Sequence, residues 1–225
     1  MKVSEAILSR RSVRAFSERP VAADVLRRVT ELAARAPSGG NLQPWHVDIV
    51  AGEKLAELKA VVRQRIMEAP SPQGEGAEYD IYPPSLGEPY RTYRYQLGEA
   101  MYARLGIPRE DKQARARWFA RNFEFFGAPA ALFMSVDRQM GPPQWSDMGM
   151  YLQTFMLLLR EQGLHSCPQE CWALYAPTIS SFLGLPAERM LFCGMSIGYA
   201  AEDDALSDFR AERAPLEAFA RFHGL

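Results

Sequence analysis

The sequence predicts a single domain of mixed helices and strands, and three observations point there. The chain has 225 residues, 48% hydrophobic and 24% charged. That is globular composition, long enough to bury about 70–75% of the surface exposed in the unfolded chain. Segments of helical period are interleaved with a few short apolar runs of strand character. One helical stretch, roughly Trp145 to Gln162, is apolar nearly all round, as a central helix must be.

Apolar residues at Val25, Val29, Leu32, Ala33 and Ala36 share one helical face, and Pro37, Gly39 and Gly40 stop that helix. The loop from Ala36 to Trp45, APSGGNLQPW, leads into His46 to Val50, which alternates and branches like a strand. A further helix starts near Glu53. Between Ala69 and Pro89, prolines at 70, 72, 83, 84 and 89 break any period. Loops longer than about 12–15 residues often act as lids or binding segments. This one carries Tyr79, Tyr82, Tyr90, Tyr93 and Tyr95, so the stretch at about 70–110 reads as a lid-like excursion of one domain spanning 1–225. A helix is expected from Arg109 to Phe126, ended by Gly127 and Pro129, followed by a buried strand from Ala130 to Val136. After Gly141, Pro142 and Pro143 comes the apolar helix, with Met148, Leu152, Phe155, Met156 and Leu159 on one face and Tyr151, Leu157 and Leu158 widening it. Gly163 supplies its C-terminal cap. Met190 to Ile197 is the last expected strand, ending at Gly198.

The 26 Lys and Arg against 27 Asp and Glu leave a net charge of -1, which argues against a nucleic-acid footprint. No apolar run nears the roughly 20 residues of a membrane span. The first residues lack a secretory apolar stretch, and three cysteines make no disulfide framework, so a cytoplasmic location is expected. GxGxxG after a strand, GxxxxGK[ST], HExxH and GxSxG are absent. His165, Cys167 and Cys171 lack the second half of a zinc motif, so no metal is expected and the cysteines read as small buried hydrophobes. His46 and His223 have no nucleophilic partner at motif spacing and read as packing residues.

Three clusters are more informative. Arg10, Arg11, Ser12 and Arg14 put three guanidinium groups and a hydroxyl within five residues. They either chelate a phosphate through charge-assisted bonds or solvate a surface turn. Ser38, Asn41 and Gln43 lie beside Gly39 and Gly40, where amides and open backbone either read a heterocycle edge or merely end a helix. Arg210 and Arg213 form a third basic group near the C-terminus.

RRSVRAF (Arg10 to Phe16), APSGGNLQPW, DMGMYLQTFMLLLREQGLHSCPQE (Asp147 to Glu170), MLFCGMSIGYA (Met190 to Ala200) and FRAERAP (Phe209 to Pro215) together cover nearly the whole chain. In that order they resemble the FMN-dependent nitroreductase family. The resemblance implies a nitroreductase-like α+β fold, with a central, mainly antiparallel sheet flanked by helices, in an intertwined homodimer. It implies that Arg10, Arg11, Ser12 and Arg14 grip the FMN phosphate, with Arg14 reaching the pyrimidine side of the ring. Arg213 would complete the phosphate site, and Arg210 would substitute for a basic residue the family often has where this chain has Ala211. Pro37, Ser38, Gly39, Asn41 and Gln43 would line the flavin of the other subunit. Pro168, Gln169 and Glu170 would form the turn whose backbone donates to flavin N5. The chemistry would sit at N5, with no catalytic side chain. NADPH or NADH would deliver hydride there, and a small flat nitroaromatic would then be reduced to nitroso and hydroxylamine products in a ping-pong cycle. A dehalogenase-like or flavin/quinone reductase activity of the same superfamily, and a non-catalytic flavin-binding role, stay open at this level.

Overall fold

Four runs of branched and apolar residues form the strands β1 (His46–Ala51), β2 (Ala130–Asp137), β3 (His165–Gln169) and β4 (Arg189–Gly198). They pair in the order β1-β2-β4-β3, each ladder antiparallel. The structure, a computed structural model, describes residues 1–224. The α+β architecture with an antiparallel sheet is as expected. β2 is buried at every position from Ala130 to Val136, which a strand covered on both faces requires.

The helices are α1 (Val3–Ser9), α2 (Ala23–Ala33), α3 (Gly52–Glu68), α4 (Tyr90–Arg104), α5 (Lys112–Ala120), α6 (Pro142–Glu161) and α7 (Ala176–Leu183). On one face of the sheet, Leu26 and Val29 of α2 and Met148, Phe155 and Leu159 of α6 pack on Leu132, Met134 and Met195. On the other, Leu55, Leu58 and Val62 of α3 and Ile179 of α7 pack with Phe133, Leu191 and Trp172. α6 is the central helix the sequence predicts. It starts earlier than Trp145 because Gly141 caps it, with its N–H donating to Gln144 Oε1 at 3.1 Å, and a proline suits the first helical position. Gly163 follows α6 with φ 72°, as its capping role requires. α2 ends at Ala33, short of the expected Ala36.

The helix expected over Arg109 to Phe126 is broken. α5 ends at Ala120, and Arg121–Gly127 is a 3-10 segment in which Phe125 and Phe126 are left-handed, φ 50° and 54°. A straight helix would point residues 123 and 125 to opposite sides. The reversal buries Phe123, Phe125 and Phe126 together, with Phe125 stacked on Trp172 at 4.3 Å between centroids. Each left-handed residue costs about 1–3 kcal/mol, and burying each ring returns about 1.5–3 kcal/mol. β3 and α7 carry no strong period and form through their neighbours; β3 is held in register with β4 from His165 opposite Gly198 to Gln169 opposite Gly194.

The excursion after α3 is pinned along its first half. Glu75 accepts from Arg65 Nε at 2.6 Å and from Thr178 Oγ1 at 2.9 Å. Glu78 pairs with Arg138, and the Tyr79 hydroxyl donates to the Phe192 carbonyl while its ring packs against Trp145 and Phe192. Its second half leads into α4, a helix absent from the sequence-based reading because its tyrosines, arginines and small residues make no apolar stripe. α4 buries none of its own residues.

Gly194 lies directly beneath Trp172, where an added Cβ would sit 2.4 Å from the indole Cδ1. Gly194→Ala is therefore expected to destabilise the protein by about 1–3 kcal/mol, the usual cost of overpacking a full core. Urea unfolding followed by Trp fluorescence measures it; an unchanged midpoint would mean the indole has room to move.

Candidate active site

The segment from Arg10 to Phe16 is laid along the edge of the sheet. Ser12 bridges Ser166 in parallel and the Val13 N–H donates to the Ser166 carbonyl at 3.0 Å, while Phe16 bridges Ala200. Val13 is fully buried and Phe16 nearly so, which anchors the backbone between the arginines. Arg10, Arg11, Ser12 and Arg14 are all partly buried. They ride on ordered backbone, which favours the chelating alternative over a solvated turn.

The structure sorts the basic residues into two groups. Arg10 lies beside Arg213, and burial followed by that neighbour lowers its pKa. Ser12 and Arg14 adjoin the same buried Cys167 that Arg10 faces. Arg11 instead lies with Arg210 and Arg160, burial being the larger cause of its lowered pKa and Arg210 the next. Among the described residues, none of these six arginines forms an ion pair with a carboxylate. Their recorded hydrogen bonds go mostly to backbone carbonyls: Arg14 to Ser12 at 3.3 Å, and Arg213 to Ala211 at 3.0 Å and Glu212 at 2.9 Å. Guanidinium groups gathered without a carboxylate ion pair are a donor set for an anionic oxygen ligand. Arg160 went unnoticed in the sequence; the only signal is a charge interrupting an apolar helix near its end.

The glycine loop is anchored elsewhere. The Gly39 N–H donates to Asp147 Oδ2 at 3.2 Å, the Ser38 hydroxyl accepts from the Gln43 N–H at 3.0 Å, and Gln43 Nε2 donates to the Asn41 carbonyl at 3.2 Å. Gly40, Asn41 and Gln43 are left-handed, with φ of 57°, 57° and 51°. Asn tolerates that conformation; Gln43 holds it at a cost of about 1–3 kcal/mol. The loop thus stands on the first turns of α6 through buried Asp147, with Pro37, Gly39, Asn41 and Gln43 facing outward and Ser38 half-buried. Asp147 also escaped the sequence reading, although a carboxylate on an apolar helix is its mark. Among the described residues, no hydrogen bond joins this loop to the Arg10–Arg14 segment.

At the end of β3, Pro168 and Glu170 face solvent and Gln169 is buried. The Gln169 amide is committed internally: Nε2 donates to the Asn122 carbonyl at 2.8 Å and Oδ1 at 3.1 Å, and Oε1 accepts from Ser196 at 2.7 Å. This leaves only backbone at Gln169 for a ligand. Partial burial raises the Glu170 carboxyl. Burial also raises the Cys171 and Cys193 thiols to about 12, so neither is an activated nucleophile. Cys167 and Cys193 are the small buried hydrophobes expected, with Cys171 half-buried.

His165 is pushed down to about 4, first by burial and then by Arg160, Arg11 and Arg210. Its folded pKa lies below the ordinary 6.5, so the unfolded chain binds the proton more readily. The stability it contributes is complete above pH 6.5 and is lost as pH falls from there toward 4. Urea midpoints across that window are expected to fall less steeply in His165→Gln; identical slopes would mean that the fold does not lower the His165 pKa.

A family model described as the nitroreductase family matches residues 7–199. A 4-nitrobenzoate reductase of Pseudomonas putida is 34% identical over 218 residues, covering 97% of this chain and 94% of its own. Among solved structures, an FMN and NADPH-dependent nitroreductase NfnB from sphigopyxis sp. strain HMH is 46% identical with a TM-score of 0.94 over 100% of both chains. The FMN-dependent nitroreductase NfnB from Mycobacterium smegmatis in complex with NADPH is 32% identical with a TM-score of 0.92, covering 98% of each chain.

Proposed function

The chain belongs to the nitroreductase family, and on that premise we propose that it is an FMN-dependent oxidoreductase that uses NADPH or NADH to reduce nitroaromatic compounds to nitroso and hydroxylamine products. The observation that carries this reading is the pair Arg10 and Arg213, neither of them ion-paired to a carboxylate among the described residues, with Arg10 next to the segment that Ser12 bridges to β3. This donor set fits the phosphate of FMN. When bound, FMN supplies the two-electron redox chemistry linking nicotinamide to nitro group.

The residues of the chain then bind and orient. Arg10, Ser12 and Arg213 would hold the phosphate by charge-assisted hydrogen bonds. Arg14 would lie toward the pyrimidine side, where its fixed positive charge would favour added negative charge. Pro168 has no N–H, so the backbone donors of this turn are those of Gln169 and Glu170. Pro37, Ser38, Gly39, Asn41 and Gln43 would cover the ring from a second subunit. Nicotinamide and nitroaromatic would bind the site in turn, with protons drawn from water. Arg11 and Arg210, which the resemblance would put at the same phosphate, are grouped in this reading with Arg160, Arg210 being the charged neighbour that bears most on both Arg11 and Arg160.

A homodimer is supported by surface that a lone chain leaves bare. Val3 and Leu8 of α1 are 71% and 78% exposed, and Phe219 and Phe222 of the C-terminal arm 72% and 62%. α4 buries nothing of its own, and short helices are marginal without packing. A second copy laid over these surfaces would cover α4, with Tyr90 and the Arg94–Tyr82 stack at the rim as a lid over a flat substrate. The few unpaired cysteines accord with a cytoplasmic setting.

The purified protein is expected to be yellow, to bleach anaerobically with NADPH and to turn over a nitrobenzene; exclusive turnover of a halotyrosine would overturn the reading, and so would persistence of the oxidised spectrum with both NADPH and NADH. Arg14→Ala is expected to lower the FMN retained through gel filtration about tenfold, the scale of one charge-assisted hydrogen bond; unchanged content would remove Arg14 from the site. Light scattering is expected to give twice the 25.3 kDa chain mass, and a stable monomer would defeat the shared-site arrangement.

A further inference from the structure

The bridge between Ser12 and Ser166 sets Arg11 beside His165. The Arg11 guanidinium donates to the Leu206 carbonyl at 3.1 Å. Arg160, on the last turn of α6, donates to Ser9 Oγ at 3.2 Å and to the carbonyl of Leu164 at 2.7 Å, one residue before His165. Arg210 is exposed, and its recorded hydrogen bond is to the neighbouring Phe209 carbonyl at 3.1 Å. All three arginines bear on His165, whose Nδ1 is buried without a hydrogen-bond partner. Two carboxylates face Arg11. Asp208 is spent on Arg104 at 3.0 Å. Asp204 accepts from the Leu206 N–H at 3.1 Å through Oδ1 and leaves Oδ2 buried and unpartnered.

Three guanidinium groups against one uncommitted carboxylate leave a surplus of two positive charges in a partly buried setting. A phosphate monoester carries about -1.5 to -2 at pH 7 and three acceptor oxygens. Guanidinium forks suit those oxygens. We propose that Arg11, Arg160 and Arg210, gathered around His165, form a second oxyanion site, distinct from the flavin-phosphate contacts of Arg10 and Arg213, that takes a phosphate dianion, esterified or free.

Two sources share that chemistry: the 2′-phosphate that distinguishes NADPH from NADH, and free phosphate. β3 runs from His165 to Gln169, about 13 Å at roughly 3.3 Å per residue, so the cluster stands within a dinucleotide's span of the turn proposed to meet the flavin ring. The NADPH source rests on the nitroreductase reading; the anion site does not.

The test uses FMN-loaded protein. Inorganic phosphate is titrated calorimetrically into wild type, Arg210→Gln and Asp204→Asn, and kcat/KM is measured with NADPH and NADH for each. Wild type is expected to bind phosphate, Arg210→Gln about tenfold more weakly, and Asp204→Asn more tightly because it removes the opposing charge. If NADPH is the source, the NADPH-over-NADH ratio falls about tenfold in Arg210→Gln, one charged hydrogen bond's worth. Phosphate binding that weakens while the ratio holds identifies free phosphate as the ligand and still supports the site. Absence of phosphate binding to wild type together with an unmoved ratio overturns the proposal. Loss of FMN from Arg210→Gln also overturns it, by returning that arginine to the flavin phosphate. Wild type that oxidises neither nucleotide would sink the nitroreductase reading while leaving the phosphate titration readable.

Discussion

The arrangement depends on the clamp between Val13 and the edge of β3. Val13 is fully sequestered and its N–H is tied to the Ser166 carbonyl, so the residues on either side have little freedom in where they point. The clamp divides a run of arginines into two chemically distinct positions, Arg10 beside Arg213 and Arg11 beside Arg160 and Arg210. Arginine heads held close with fewer carboxylates than guanidinium groups repel one another, and the bridged backbone at Ser12 and Val13 holds Arg10 and Arg11 there nonetheless. An anionic ligand relieves that repulsion, which is why such clusters mark binding sites rather than stabilising features.

A second constraint works on the other end of the same strand. The Gln169 side chain links β3, β4 and the 3-10 segment through Asn122 and Ser196. That fully satisfied buried network holds the turn at Pro168–Glu170 in place, and satisfied networks are what rigidify a site. The left-handed Phe125 and Phe126 belong to the same construction, because the chain reversal they permit brings Asn122 within reach of Gln169 and seats the aromatic cluster under Trp172. Strain in the backbone is thereby exchanged for precision at the edge of the sheet.

Much of this was readable before any coordinates. β1, β2 and β4 fell within a residue of expectation because each is a branched apolar run with clear stops, and α6 stood out because its burial requires hydrophobicity on every face. β3, with the sequence HSCPQ, was not readable as a strand, since its pairing with β4 and with Val13 outweighs its own propensity. α4 was missed for a related reason: nothing within one chain demands an apolar stripe of a helix that buries no residue of its own. The broken helix after Ala120 was misread because local period cannot register a reversal driven by long-range ring packing.

Chemistry is local to residue types, so the sequence by itself determined the kinds of groups available: a run of arginines with a serine, a glycine loop with two amides, and an apolar central helix. The order of the segments carrying them resembles one family, and that resemblance implies the cofactor. Only the tertiary structure decided which arginines stand together, that Asp147 carries the glycine loop, that the Gln169 amide is spent inside the protein, and that Arg160 and His165 join the basic cluster. The physical reason is that hydrogen bonds and charge neighbours between residues more than a hundred positions apart, such as Gly39 with Asp147 or Arg160 with Ser9, leave no periodic trace in the chain.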